Sequence, residues 1–249
     1  ERQFLQVGSE IIGTESTLAD IEIINLAYQS LKEIGIKNIT LELTSKVFLD
    51  EIFSKITDDI SLQKLKIFIK QKDKKNSLKL VNNSDHKLLL EKLFRYTGNF
   101  NSLTKDIQSL SISDFAKKEL DNIKKIIKKI HFAKNDKIFF DFIEFDNKNY
   151  HDGIKFTFFA KNVRGEIASG GRYKLKNNLK TESAVGFTCF MDTVLRASSF
   201  ENCSKKILIP FDTSHNIKKN LIKKNYIILS FFGNISDIRK FAKKYFCSH

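Results

Sequence analysis

The feature that most constrains this chain is a glycine pair that closes an alternating segment. Gly165-Glu166-Ile167-Ala168 runs into Ser169-Gly170-Gly171-Arg172-Tyr173, and Ala184-Val185-Gly186-Phe187 follows downstream. The alternation is strand texture. Glycine inside a strand weakens it unless a ligand or another backbone approaches closely there. A glycine pair alone most often marks a turn or bulge, so the segments around it have to carry the functional reading.

Those segments alternate between two periods. Phe4, Leu5, Val7, Ile11 and Ile12 read as a strand with no cap or turn before it, as if the chain opened inside a sheet. A helix follows, capped by Thr17 or Asp20, with Ile21, Ile24, Leu26, Ala27, Leu31 and Ile34 on its apolar face and Gly35 as its stop. Asn38–Thr44 alternates strictly and is β-branched, a second strand. From 46 to 129 the texture is helical, with lysine-rich outer faces: Phe48–Ile56, Leu62–Phe68, Leu88–Phe94 and Ile112–Ile127. Ile138–Phe142, Ile154–Ala160 and Gly165–Ala168 return to strand texture, which suits an antiparallel sheet. A helix runs from about Met191 to Phe200. The tail, from Lys206-Ile207-Leu208-Ile209-Pro210-Phe211 onward, reads as a small β-α-β-α unit. The expected organisation is a core of residues 1–45 plus 130–200, a helical insertion at 46–129, and a small α/β unit at 203–249.

Composition narrows the class. The chain has 249 residues, 41% of them hydrophobic, with 23 Phe, so it can bury a sizeable core. No apolar run approaches the roughly 20 residues of a membrane span, and the first residues carry no signal-peptide pattern. Cys189, Cys203 and Cys247 are an odd count at scattered spacing, which fits neither a disulfide framework nor a zinc site. A reducing cytoplasm is the expected location. The formal charge of +14 suggests a nucleic-acid partner. Yet the basic residues are nearly all Lys, spread among Asn and Ile, and the only arginines are Arg2, Arg95, Arg164, Arg172, Arg196 and Arg239. Lys is a poor bidentate reader of phosphate. Lys124, Lys125, Lys128 and Lys129 read as the wet side of an amphipathic helix, with RNA binding through them as the competing reading.

Two further stretches belong with the glycine strands. In Arg2-Gln3-Phe4-Leu5-Gln6-Val7-Gly8-Ser9-Glu10, Gln6 and Glu10 lie four apart on a strand and share a face. A carboxylate and an amide placed so can hold an ammonium and a ring N–H, although a strand with ordinary polar residues would look the same. In Asn147-Lys148-Asn149-Tyr150-His151-Asp152-Gly153, His151 has the chemistry of a base. No nucleophile accompanies it, so the simpler reading is a pocket-wall or surface histidine.

Together these stretches resemble the histidine-binding core of histidyl-tRNA synthetases, class II enzymes. The first resembles the second half of motif 2. The second resembles the first histidine-specific motif, Arg-Gly-Leu-Asp-Tyr-Tyr, with Tyr150 and His151 at its two tyrosines. Ser169–Tyr173 resembles the second histidine-specific motif, with Lys174 where the family has Asp. Ala184–Phe187 stands at the spacing of motif 3. The resemblance implies an α+β fold with a class II antiparallel sheet, flanking helices, a helical insertion and a small α/β tail. It also implies a histidine pocket formed by Gln6, Glu10, Tyr150, His151, Gly170 and Gly171.

Two departures bear on chemistry. Asp146 stands at the first motif's arginine. Phe190, Met191, Asp192 and Thr193 stand where motif 3 ends in Gly-Leu-Glu/Asp-Arg, so the ATP-clamping arginine is replaced by Thr193 and its glycine by Phe190. Stabilisation of a transferred phosphoryl group is usually the largest catalytic term, so adenylation is expected to be absent. No P-loop, metal pair or Ser/His/Asp set offers another chemistry, and no cofactor or metal is expected. The tail is also shorter than a synthetase's anticodon-binding domain.

The resemblance is then to the catalytically silent branch of the family, the regulatory subunits of ATP phosphoribosyltransferase. It implies a short-form catalytic subunit as partner, histidine as effector, and a homodimer within a hetero-oligomer, with neither membrane nor nucleic acid as partner. The competing readings are a fragment of an active synthetase and an RNA-binding paralogue.

Overall fold

The computed structural model of the chain describes residues 5–95, 110–144, 151–177, 180–198, 205–245 and 247. It divides into two compact units, residues 1–199 and 200–249.

The first unit opens with β1 (Gln6–Ile12), α1 (Thr17–Glu33) and β2 (Ile39–Ser45). Ser16, rather than Thr17 or Asp20, caps α1: its hydroxyl accepts from the Leu18 N–H at 3.2 Å. Gly35, at φ +84°, closes the helix. The Gly35 N–H reaches Lys32 O at 2.9 Å and the Ile36 N–H reaches Leu31 O at 3.2 Å, with Leu31 and Ile36 both buried.

The helical stretch follows as α2 (Val47–Phe53), α3 (Asp59–Lys70), α4 (Lys74–Lys79), α5 (Ser84–Arg95) and α6 (Asp114–Lys129). The short α4 carries too few apolar residues to show in the sequence. Ile112 precedes α6, whose cap is Ser113. β3 (Lys137–Phe140), β4 (His151–Ala160), β5 (Glu166–Asn177), β6 (Lys180–Phe190) and α7 (Met191–Ala197) complete the unit.

The sheet order is β1-β6-β5-β4-β2-β3. Its pairs are antiparallel except β2 with β3, which run parallel, so the sheet is mixed where a purely antiparallel one was expected. The cause is the connection. Residues 46–129 intervene between β2 and β3, and a crossover of that length allows parallel pairing, which a tight hairpin does not.

Register sorts the residues of the sheet onto two faces. Val185, Phe187 and Cys189 of β6, Ala168 of β5, Phe156 and Phe158 of β4 and Leu41 and Leu43 of β2 are buried in one core with α1. Phe48 of α2 packs edge-on against Phe142 at 5.2 Å in the same core, and Leu120, Ile123 and Ile126 of α6 join it. The opposite face is polar: Gln6 and Glu10 of β1, Thr188 of β6, Ser169 of β5, Thr157 and Lys155 of β4 and Glu42 of β2 lie in matching rows.

The second unit pairs β7 (Lys206–Pro210) and β8 (Ile227–Phe231) in parallel, with α8 (His215–Lys223) and α9 (Ile238–Lys244) beside them. This is the β-α-β-α order that the tail suggested. Asn225, at φ +60°, ends α8 in the same way that Gly35 ends α1.

Candidate functional site

The polar face holds a cavity of about 220 Å³ lined by residues of β1, β4, β5 and β6, among them Gln6, Glu10, His151, Gly170, Gly171 and Phe190. Five of the six residues expected to form the pocket therefore meet here. The sixth, Tyr150, lies outside the described residues, as does Asp146. Gln6 and Glu10 are exposed, so the cavity opens on the β1 side. Its volume is below the roughly 300–1,000 Å³ typical of drug-sized ligands and suits a single small molecule.

The glycines are required by the sheet itself. A Cβ on Gly186 would lie 2.6 Å from Glu10 Cγ and 2.9 Å from Ser9 O. One on Gly171 would lie 2.5 Å from His151 Cδ2 and 2.8 Å from Ile154 O, and one on Gly170 would lie 2.6 Å from Phe156 Cζ. The glycines thus let Glu10 and His151 lie flat over the strands and form the cavity wall. The close approach expected of a ligand is in part the close approach of the protein's own side chains.

Arg172, the cation of the glycine motif, does not serve the cavity. Its Nε donates to Asp20 Oδ1 at 2.9 Å, and its terminal nitrogens donate to Thr14 O, Ser183 Oγ and Ser16 O at 2.7, 2.7 and 3.0 Å. Burial outweighs the arginine and pushes the Asp20 carboxyl up to about 6. Lys174 pairs with Asp152 at 2.6 Å. No Lys or Arg is among the described residues lining the cavity.

The motif 3 position is similarly absorbed. Thr193 Oγ1 lies 2.7 Å from Glu166 O and 2.9 Å from Phe190 O, so its hydroxyl ties α7 to the start of β5. Phe190 projects into the cavity wall. Burial pushes the Cys189 thiol up to about 11, which leaves it protonated and a poor nucleophile. Among the described residues no cluster of His, Cys, Asp and Glu could hold a metal, and no helix is long and apolar enough to cross a membrane.

One cluster of charged residues escaped the sequence. Next to the cavity on the polar face, Lys155 bridges to Glu144 at 3.2 Å and Lys72 to Asp141 at 2.7 Å. Glu42 lies among them. Burial, with the negative charge and hydrogen bond of Glu144, raises its carboxyl to about 7. These residues come from β2, β4, the end of α3 and the exit of β3, and no local spacing links them.

The model of the histidyl-tRNA synthetase family matches residues 1–194. The chain belongs to the histidyl-tRNA synthetase family. It is 25% identical over its whole length to an ATP phosphoribosyltransferase regulatory subunit of Paramagnetospirillum magneticum, and spans 65% of that relative. In fold it is similar to an ATP phosphoribosyltransferase regulatory subunit/histidyl-tRNA synthetase from Bacillus halodurans. That match has a TM-score of 0.70 and 19% identity, over 97% of this chain and 66% of the other. It is also similar to a chain of the ATP phosphoribosyl transferase (HisG:HisZ) complex from Thermotoga maritima. There the TM-score is 0.56 and the identity 15%, over 75% of this chain and 65% of the other. At these identities the two structures establish the family's fold and no more.

Proposed function

We propose that the chain is part of a non-catalytic regulatory subunit of ATP phosphoribosyltransferase. In this reading it binds a short-form catalytic subunit in the cytoplasm, activates it, and makes the first step of histidine biosynthesis sensitive to histidine. It acts as a homodimer within a hetero-oligomer.

The observation that carries the reading is the split character of the site. An amino-acid-sized cavity with Gln6, Glu10 and His151 on its wall is kept. The motif 3 arginine position is Thr193, bonded to backbone carbonyls, with the Phe190 ring in the cavity wall. Such a site can hold an amino acid by its N–H groups. With no Lys or Arg among the described residues that line it, it offers no fixed cation to a phosphoryl transfer. The names of the relatives support the same branch of the family. Feedback then requires that histidine bind differently to two states of the complex, and the coupling is reciprocal.

The test is co-assembly of the full chain with a short-form catalytic subunit. Activation that added histidine reverses is expected, together with histidine-dependent pyrophosphate exchange no higher than a no-enzyme control. Exchange well above that control, or no association, would remove the reading.

A further inference from the structure

On the polar face of the sheet, β1 and β6 meet with large and small residues matched. Gly8 stands opposite Thr188, and Glu10 stands opposite Gly186. The second pair is close. A Cβ on Gly186 would lie 3.3 Å from Glu10 Cβ and 2.6 Å from Glu10 Cγ. Cβ atoms of directly opposed residues ordinarily stand about 4.5–5.5 Å apart. The stem of Glu10 therefore takes the space that a side chain at 186 would fill, and Gly186 is buried while Glu10 is exposed.

This placement fixes a carboxylate that would otherwise be loose. A glutamate on an exposed strand has several staggered rotamers open to it and gains entropy by sampling them. Here its stem is laid across β6, and the residue lines the cavity. No Lys or Arg is among the described residues lining the cavity, and no described residue hydrogen-bonds or ion-pairs with Glu10. Its charge is left for a cationic group of a ligand, and a charge-assisted hydrogen bond from an ammonium is the strongest contact it can make there.

We propose that Gly186 is a positioning residue of this cavity: its missing Cβ lets Glu10 lie across β6, where the carboxylate takes the ammonium of an amino acid. The inference rests on the reading of the cavity as an amino-acid site. A methyl at 186 would act in two ways. It would push Glu10 Cγ aside and so move the carboxylate. It would also press on the backbone of β1, because Ser9 O stands 2.9 Å from the same position. Only the first effect disappears when the side chain of Glu10 is cut back, so the two can be separated by a double-mutant cycle.

The experiment is calorimetric titration of the full chain in four forms: wild type, Gly186→Ala, Glu10→Ala and the double variant. The probes are L-histidine and its deamino analogue, 3-(imidazol-4-yl)propionate, which lacks the ammonium. Each single substitution should weaken L-histidine about tenfold, the low end for a hydrogen bond to a charged group because Glu10 is exposed. The double variant should bind L-histidine no worse than Glu10→Ala alone. The analogue should bind all four forms alike. Gly186→Ala that fails to fold alone but folds together with Glu10→Ala supports the positioning role as well. Losses that multiply in the double variant, or a Gly186→Ala protein that loses both probes equally or fails to fold in either background, assign the glycine to the backbone approach of β1 and overturn the proposal. Wild-type affinity in Glu10→Ala overturns it too and leaves the amino-acid site standing. No binding of L-histidine by wild type overturns both.

Discussion

Glu42 illustrates how a single residue couples stability to pH. Its carboxyl sits half-buried against Glu144 and is raised from an ordinary 4.5 to about 7. The folded state therefore holds this proton more tightly than the unfolded chain does. That contribution is fully present below about 4.5, is lost as pH rises through 7, and leaves an unfavourably buried charge at pH 8. Glu42→Gln keeps a hydrogen-bonding partner for Glu144 and removes the charge. Thermal unfolding of the variant should show a gain on the order of 1–2 kcal/mol at pH 8 and a flatter pH dependence between 5 and 8. An unchanged slope would place the titration elsewhere.

Among the elements, one side chain adds a polar tie to the apolar packing that docks α1 on the sheet. Arg172 reaches from β5 to Asp20 inside α1, to the carbonyls of Thr14 and Ser16 before it, and to Ser183 on β6. Removing a member of such a partly buried pair costs about 3–5 kcal/mol, because the other charge is left behind. Arg172→Ala should destabilise by that order at pH 8 and by less at pH 5, where Asp20 can take up a proton. Arg172→Lys should not restore stability, since an ammonium cannot span four acceptors in the fork geometry of a guanidinium. Equal losses at both pH values would mean that the pair is not what α1 depends on. The opposite edge of the sheet is less protected. Among the described residues β1 pairs with β6 alone, and Leu5, Val7 and Ile12 are exposed along it. An unblunted edge of this kind tends to pair with other chains.

Over the first unit as a whole, the helices between β2 and β3 and the sheet share a single hydrophobic core. Leu120 of α6 is 2% exposed, and it belongs to the same buried cluster as Phe156 of β4. Thr17 of α1 donates to Asn122 of α6 at 2.9 Å, and Ser45 of β2 donates to Glu119 of α6 at 2.7 Å. Leu120→Ala should therefore cost about 2–5 kcal/mol and should lower the unfolding midpoint of the sheet along with that of the helices. Hydrogen exchange that weakened only in residues 46–129 would instead make the helices a separately unfolding body. The second unit differs: α8 and α9 bury no residue fully, and Phe211 and Phe232 stand 61% and 76% exposed on it.

Local pattern was enough to read much of this molecule. The period-2 runs became β1, β2, β4 and β5, the period-3.6 faces became α1, α3, α5 and α6, and Gly35 ended α1, because those choices depend on neighbours a few residues away. The shared face of Gln6 and Glu10 was legible for the same reason, since alternation along a strand is a local rule. The parallel pairing of β2 with β3, the seizure of Arg172 by Asp20, the Glu42–Glu144–Lys155 cluster, and the placing of Glu10 against Gly186 and of His151 against Gly171 were not legible. Each joins residues far apart in the chain, and no periodicity records which strands will be neighbours or in what register. Sequence alone therefore determined the elements and the kind of residues available to the site. The order and register of the strands decided which charges meet, and so set Gln6, Glu10 and His151 around the cavity while Arg172 is spent on holding the fold.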